Sequence, residues 1–390
     1  MGQQLSSKAA TSRLASSPDL LKLSMEGNID EVKKLIGEHI AEQGSTSTDE
    51  GQEAGQGDYS QSNREALEKY INTPGDAQKN TPLHGAVFGG HLEVVKFLCS
   101  TCHANVVQKN ELGCSPLWLA AGYNHEEVMV YLMERILSLG DEDGSDDDEC
   151  PLEHAILKDA NSTGDTLLIA AASRGNLEIC RKLLDMASSK LGGESATSAM
   201  LLWKNHGGDT ALAVAVGAGH EGVLEFLLEW DKQCSGNEQQ SSQPNACIVN
   251  QRNKQGLTPL LAACERGNAN IVNRLVQAGA EFLPDEKGAS PLSVVSFCGH
   301  EEVAKYLLAL PNGRTTLLNQ RDEPSGCTAL WHAARTGNVA MVKYFLEQGA
   351  DATIGNCEGL TPEQVASKYK KQAVVDVFSN VQNRKVTHNS

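Results

Sequence analysis

One block of about twenty residues recurs along this chain, and it restricts the fold more than any other feature. Its copies are NTPLHGAVFGGHLEVVKFL (80–98), CSPLWLAAGYNHEEVMVYL (114–132), DTLLIAAASRGNLEICRKLL (165–184) and DTALAVAVGAGHEGVLEFLL (209–228). They continue as LTPLLAACERGNANIVNRLV (257–276), ASPLSVVSFCGHEEVAKYLL (289–308) and CTALWHAARTGNVAMVKYFL (327–346). The hydroxyl residue that opens each copy stands at Thr81, Ser115, Thr166, Thr210, Thr258, Ser290, Thr328 and, in a degraded copy, Thr361. Successive separations are 34, 51, 44, 48, 32, 38 and 33 residues, which a unit of about 33 residues with insertions explains.

Each position in the block has a physical task. The opening Thr or Ser is a helix N-cap, its hydroxyl accepting from a free backbone N–H. Pro fits the next position, in the first helical turn, where its missing N–H costs nothing. The Leu and Ala that follow give a narrow apolar face, so neighbouring helices approach closely. Gly before His or Asn ends the first helix. The spacing of Val94, Val95 and Leu98 then gives the apolar stripe of a second, antiparallel helix. One block cannot bury both faces alone, so stacking must supply the stability.

Thr81-Pro82-Leu83-His84 followed by Gly90-His91, with Gly349-Ala350-Asp351 and Gly279-Ala280 at repeat ends, resembles the ankyrin-repeat family over residues 18 to 382. The resemblance implies an all-α fold: an ankyrin-repeat solenoid of about nine stacked helix-turn-helix repeats with β-hairpin loops. Trp118, Ile169, Ala213, Leu261, Ser293 and Trp331 stand where His84 stands, so the family's hydroxyl–imidazole contact is expected to be absent from most copies. The expected organisation is a flexible N-terminal tail (1–17), an N-terminal capping repeat (18–39), a flexible insertion (40–63) and an array (64–382). Within the array lie an acidic loop (141–150), a polar insertion (233–250) and a C-terminal cap (359–382). Residues 383–390 form a flexible tail, and residues 64–71 add a short helix.

A solenoid presents an extended binding face on its curved inner side. The resemblance places there two positions ahead of each Gly-His or its equivalent, together with the hairpin tips. The implied contact residues are Phe88, Tyr123, Arg174, Arg266, Phe297 and Arg335, with Glu111, Leu112, Lys254, Gln255, Glu286 and Lys287 at the tips. They vary from copy to copy on a fixed frame, and Phe, Tyr and Arg are types that concentrate interface energy.

Composition narrows the function. The chain carries 33 Lys and Arg against 50 Asp and Glu, a formal net charge of −17, which disfavours phosphate backbones and so nucleic acid as a partner. The run Asp141–Glu149 holds seven of the negative charges. It fails as a calcium loop, with Asp146 where Gly is needed and Leu152 where Glu is needed, and reads as a solvated acidic loop. The 11 cysteines are scattered singly, which predicts reduced thiols and a cytoplasmic address, with nuclear entry open. Cys99-Ser100-Thr101-Cys102-His103 spells a haem-attachment string, yet its place at the end of a second helix makes Cys99 a core residue and Cys102 a helix-end residue. No catalytic constellation, metal-ligand set or cofactor fingerprint appears, so no cofactor, no metal and no enzymatic activity are expected.

The opening MGQQLSS matches an N-myristoylation pattern at Gly2, or is a chance Met-Gly start. A single acyl chain would give weak, reversible membrane contact at most. The expected function is a monomeric protein-interaction scaffold or adaptor with one or more protein partners. The alternative is a regulatory or targeting subunit of an enzyme such as a phosphatase or a ubiquitin ligase.

Overall fold

The computed structural model describes residues 17–44, 61–140, 154–191, 193–235 and 248–388. Gly2, the acidic run and the centre of the polar insertion lie outside them. The chain divides into two compact units, one reaching Ala171 and one starting at Ala172, with the boundary inside the helix Leu167–Arg174.

In the first unit three helix pairs follow one another: Ser17–Glu26 with Ile29–Gly44, Pro82–Phe88 with Leu92–Ser100, and Pro116–Gly122 with Glu126–Gly140. First helices pack on first helices, and second helices on second helices. The helix Gln61–Ile71 lies against Ile29–Gly44, where the Tyr70 ring stacks on His39 with centroids 3.9 Å apart. In the second unit the pairs are Ala211–Ala218 with Glu221–Ser235, Pro259–Arg266 with Ala269–Gln277, and Pro291–Cys298 with Glu301–Ala309. Ala329–Thr336 with Val339–Glu347 and Pro362–Lys368 with Gln372–His388 complete it. Val94, Val95, Leu98, Leu117, Leu260 and Phe345 are all buried in the seams between helices. A fully buried side chain of this size contributes about 1.5–3 kcal/mol.

Several expected boundaries need correction. The helix begun at Ile29 runs to Gly44, so residues 40–44 belong to the capping pair rather than to an insertion. The helix Gln61–Ile71 likewise starts before residue 64. The last helix continues to His388, through most of the stretch expected to be a tail. Two further helices, Glu194–Leu202 and Gly313–Leu317, fill long repeat spacings. No strand occurs among the described residues; β-type pairing is limited to an isolated bridge between Ala160 and Thr166, so the expected β-hairpin loops are turns without ladders.

Those turns share one device. Asn110 Oδ1 accepts from the N–H groups of Leu112 and Cys114, closing the loop around itself. Asp76, Asn161, Asn205, Asn253, Asp285 and Asn356 do the same, each capturing the amides two and four residues on. Such a turn satisfies two backbone donors locally, which a tight loop must otherwise leave to water. Neighbouring tips are then joined by single backbone bonds, such as Glu111 N to Gln78 O (2.7 Å) and Lys254 N to Gly207 O (2.9 Å).

Helix starts follow the sequence closely. The hydroxyls of Thr81, Ser115, Thr210, Thr258, Ser290, Thr328 and Thr361 accept from the backbone N–H three residues on. Each such cap is worth about 1 kcal/mol. The Thr166 hydroxyl is the exception, buried without a hydrogen-bond partner. The hydroxyl–imidazole contact occurs at Thr81 and His84, 2.8 Å apart.

Trp118 and Trp331 keep the other half of that histidine's work. His84 Nε2 donates to the carbonyl of Cys114, the residue ahead of the next cap, at 3.2 Å. Trp118 Nε1 donates to the carbonyl of Asp165 (2.7 Å), and Trp331 Nε1 to that of Leu360 (3.0 Å), both also one residue ahead of a cap. The indole thus replaces the imidazole as the link between copies. Trp331→Phe, which keeps an aromatic ring but loses the donor and some buried volume, should lower the urea midpoint by the equivalent of about 1–2 kcal/mol. Trp331→His should recover part of that loss, and equal midpoints for wild type and Trp331→Phe would show the link to be idle.

Candidate protein-interaction surface

The ends of the first helices are fixed by histidines of the following copy. His91 Nε2 donates to Met25 O (3.0 Å) and His125 Nε2 to Phe88 O (3.0 Å) in the first unit. His220 Nε2 donates to Ser173 O (3.1 Å) and His300 Nε2 to Glu265 O (2.9 Å) in the second. Each bond satisfies a helix-terminal carbonyl, so the side chains beside it project from rigid backbone.

In the first unit this brings two expected contact residues together. Phe88, 41% exposed, lies with its ring centroid 4.6 Å from that of Tyr123, the planes tilted by 60°. Leu112 is 52% exposed at its tip, while Glu111 is held beside it in an ion pair with Lys79.

The second unit holds a larger group. Arg335 places its guanidinium 5.9 Å from the Phe297 ring centroid, 5.8 Å from Trp331 and 5.4 Å from Tyr369. Phe297 is 54% exposed and Tyr369 47%. Beneath them His332 meets Phe297 edge-on at 6.1 Å and Trp331 at 5.4 Å. Its Nε2 lies 2.8 Å from Oδ2 of the buried Asp322, whose Oδ1 accepts from Ser290 N at 3.1 Å. The carboxylate therefore anchors the ring that supports the surface aromatics. Of the expected residues, Phe297 and Arg335 meet here, whereas Arg174 and Arg266 are exposed at the ends of their own helices. Lys254, Gln255, Glu286 and Lys287 are exposed at their turns.

Trp331, His332 and Tyr369 were not among the residues expected from the sequence. Tyr369 had a usable signal, for it stands eight residues after Thr361 as Tyr123 stands eight after Ser115. His332 had none, because its role depends on Asp322, which lies in a loop ten residues earlier.

Cys99, Cys102, Cys114, Cys180, Cys264, Cys298, Cys327 and Cys357 are free thiols. Burial pushes the Cys99 and Cys102 thiols up to about 12, which keeps them protonated packing groups. No group of three or more His, Cys, Asp or Glu side chains among the described residues is placed to hold a metal ion. No helix among them is long and apolar enough to cross a membrane.

Stacked helix pairs with tight connecting turns and variable helix ends define a helical repeat protein. A family model for ankyrin repeats matches residues 20–147, 146–240, 238–317 and 310–388, and the chain belongs to the ankyrin-repeat family. It is similar to the human transient receptor potential cation channel subfamily A member 1, 26% identical over 78% of this chain and 24% of the channel. Human Rabankyrin-5 is 25% identical over 72% of this chain and 20% of its own length. The tyrosine-protein kinase HTK16 of Hydra vulgaris is 33% identical over 34% of this chain and 17% of the kinase. The chain thus spans less than a quarter of each of these relatives. Ankyrin repeats are generally protein-interaction modules.

Proposed function

We propose that this chain is a protein-interaction scaffold or adaptor without enzymatic activity, and that it engages its partner through the first-helix ends and turn tips. The observation that carries this reading is the group of Phe297, Trp331, Arg335 and Tyr369. Three rings surround one guanidinium, two of the rings are half exposed, and the group is braced from below by the His332–Asp322 pair. Aromatic and arginine side chains held rigid at a surface lose little entropy on binding and supply most of the energy at interfaces. The Phe88–Tyr123 pair extends the same logic in the first unit.

The test is capture from native lysate with wild type and with a Phe297→Ala, Arg335→Ala, Tyr369→Ala variant of unchanged helical circular dichroism. Partners lost by the variant support the surface; identical partner sets refute it. An enzymatic activity that co-purifies with wild type and is lost with the variant would favour a regulatory subunit over a scaffold.

A further inference from the structure

Around Arg335 the chain is basic, against its overall charge of −17. Lys368, Tyr369, Lys370 and Lys371 follow one another at the end of the helix Pro362–Lys368, with the Tyr369 ring centroid 5.4 Å from the Arg335 guanidinium. Lys370 is held at φ 57, outside the helix, and the Lys371 stem packs against Gly337 at the end of the preceding first helix. The Lys371 amine thus belongs to the same stretch of surface as Arg335. Only Lys368 of this set has a carboxylate partner, Glu358 at 3.8 Å, with both side chains more than half exposed, so that pair is weak. Arg335, Lys370 and Lys371 have no carboxylate within salt-bridge distance among the described residues. Within the second unit Glu265, at the position equivalent to Phe297 one copy earlier, is an acidic residue on this row of helix ends, and Arg266 stands next to it.

The guanidinium, 5.4–5.9 Å from three ring centroids, is held by cation–π attraction, and its N–H groups have no hydrogen-bond partner among the described residues, so they remain available to a ligand. The surface therefore offers a planar fork for a carboxylate, two further amines, and apolar ring faces immediately alongside. Building on the proposed interaction surface, we infer that it takes an acidic segment of a partner protein in which Asp or Glu residues are interspersed with Leu or Phe. The carboxylates pair with Arg335, Lys370 and Lys371, and the apolar side chain covers Phe297 and Tyr369. Neither element suffices alone. An all-acidic segment leaves the rings uncovered, and an apolar one leaves the cations unmatched.

The probe is a fluorescein-labelled peptide of about a dozen residues alternating Asp and Glu with Leu and Phe, titrated with the full chain by fluorescence anisotropy. The same peptide with Gln and Asn in place of the acids is the control. Arg335→Glu or Lys371→Glu should weaken binding of the acidic peptide about tenfold or more, and Phe297→Ala or Tyr369→Ala several-fold. Arg335→Lys should fall between, keeping charge and losing the planar fork. Raising salt should weaken the acidic peptide's binding, since Lys370 is exposed and Arg335 and Lys371 are still partly open to solvent. Equal affinity for the acidic and amide peptides, or no loss in Arg335→Glu, overturns the inference. So does tighter binding of a single-stranded oligonucleotide or of anionic vesicles lost by the same variants, which would make the patch a general polyanion site. If the lysate partners depend on Phe297 and Tyr369 while the acidic peptide does not bind, this inference fails and the interaction surface stands. If the lysate partners ignore all of these residues, the surface itself fails.

Discussion

Gly288→Ala should lower stability in the second unit by about 3 kcal/mol or more. Gly288 sits at φ 75 in the turn opened by Asp285, and a Cβ there would lie 2.0 Å from Glu323 O and 2.5 Å from Glu323 N of the next tip. Both obstructing atoms are backbone, so no rotamer change relieves the clash. Gly279 provides the control. It has φ 89 and nothing within 4 Å of an added Cβ. Gly279→Ala therefore isolates the left-handed backbone penalty, about 1–2 kcal/mol. Urea unfolding followed by far-ultraviolet circular dichroism compares the two. A Gly288→Ala midpoint no lower than that of Gly279→Ala would mean that the tips are not closely docked.

Asp322→Ala should cost a similar amount, about 3 kcal/mol, for an electrostatic reason. Asp322 is 3% exposed and satisfies both Ser290 N and His332 Nε2. Truncation strands the buried Ser290 N–H and the half-buried His332 Nε2, and losing one partner of a buried polar pair costs far more than the pair contributes net. Asp322→Asn keeps one acceptor oxygen for Ser290 N and should lose about 1 kcal/mol. The variant also bears on binding, since His332 is the floor under Phe297 and Trp331. At a temperature where it remains folded, Asp322→Ala should weaken partner capture although every exposed contact residue is intact. Wild-type capture by folded Asp322→Ala would separate the floor from the surface.

The sequence was most legible where one residue does one local job. The capping hydroxyls, the Pro that follows them and the Gly that ends each first helix could be read because their chemistry is complete within four residues, whereas the His after that Gly acts on the preceding copy. Trp118 and Trp331 looked like departures from the pattern because only a hydroxyl–imidazole contact was in view. Their other function, donating to a carbonyl about thirty or more residues ahead, is visible only once copies are stacked. The Asn and Asp residues of the turns escaped notice because they lie between the recognisable blocks. The helix Glu194–Leu202 buries Ala196, Thr197, Met200 and Leu201, a small and partly polar face that gives little periodic signal. The candidate surface was legible by position at Phe297 and Arg335; the same positional signal at Tyr369 was overlooked because the last copy is degraded from Glu363 onward, and His332 gave no signal at all.

The self-closing turns have a consequence for how such a chain can change over time. In the turn at Asn253, one side-chain oxygen holds the amides of Gln255 and Leu257, so the loop's shape depends on the first residue and on Gly256. Lys254 and Gln255 contribute only backbone to that closure, as Glu286 and Lys287 do after Asp285. Their side chains are free to be exchanged without disturbing the loop that presents them. Mutation can therefore sample new tip chemistries at nearly constant stability, and specificity can drift or be selected while the scaffold stays the same.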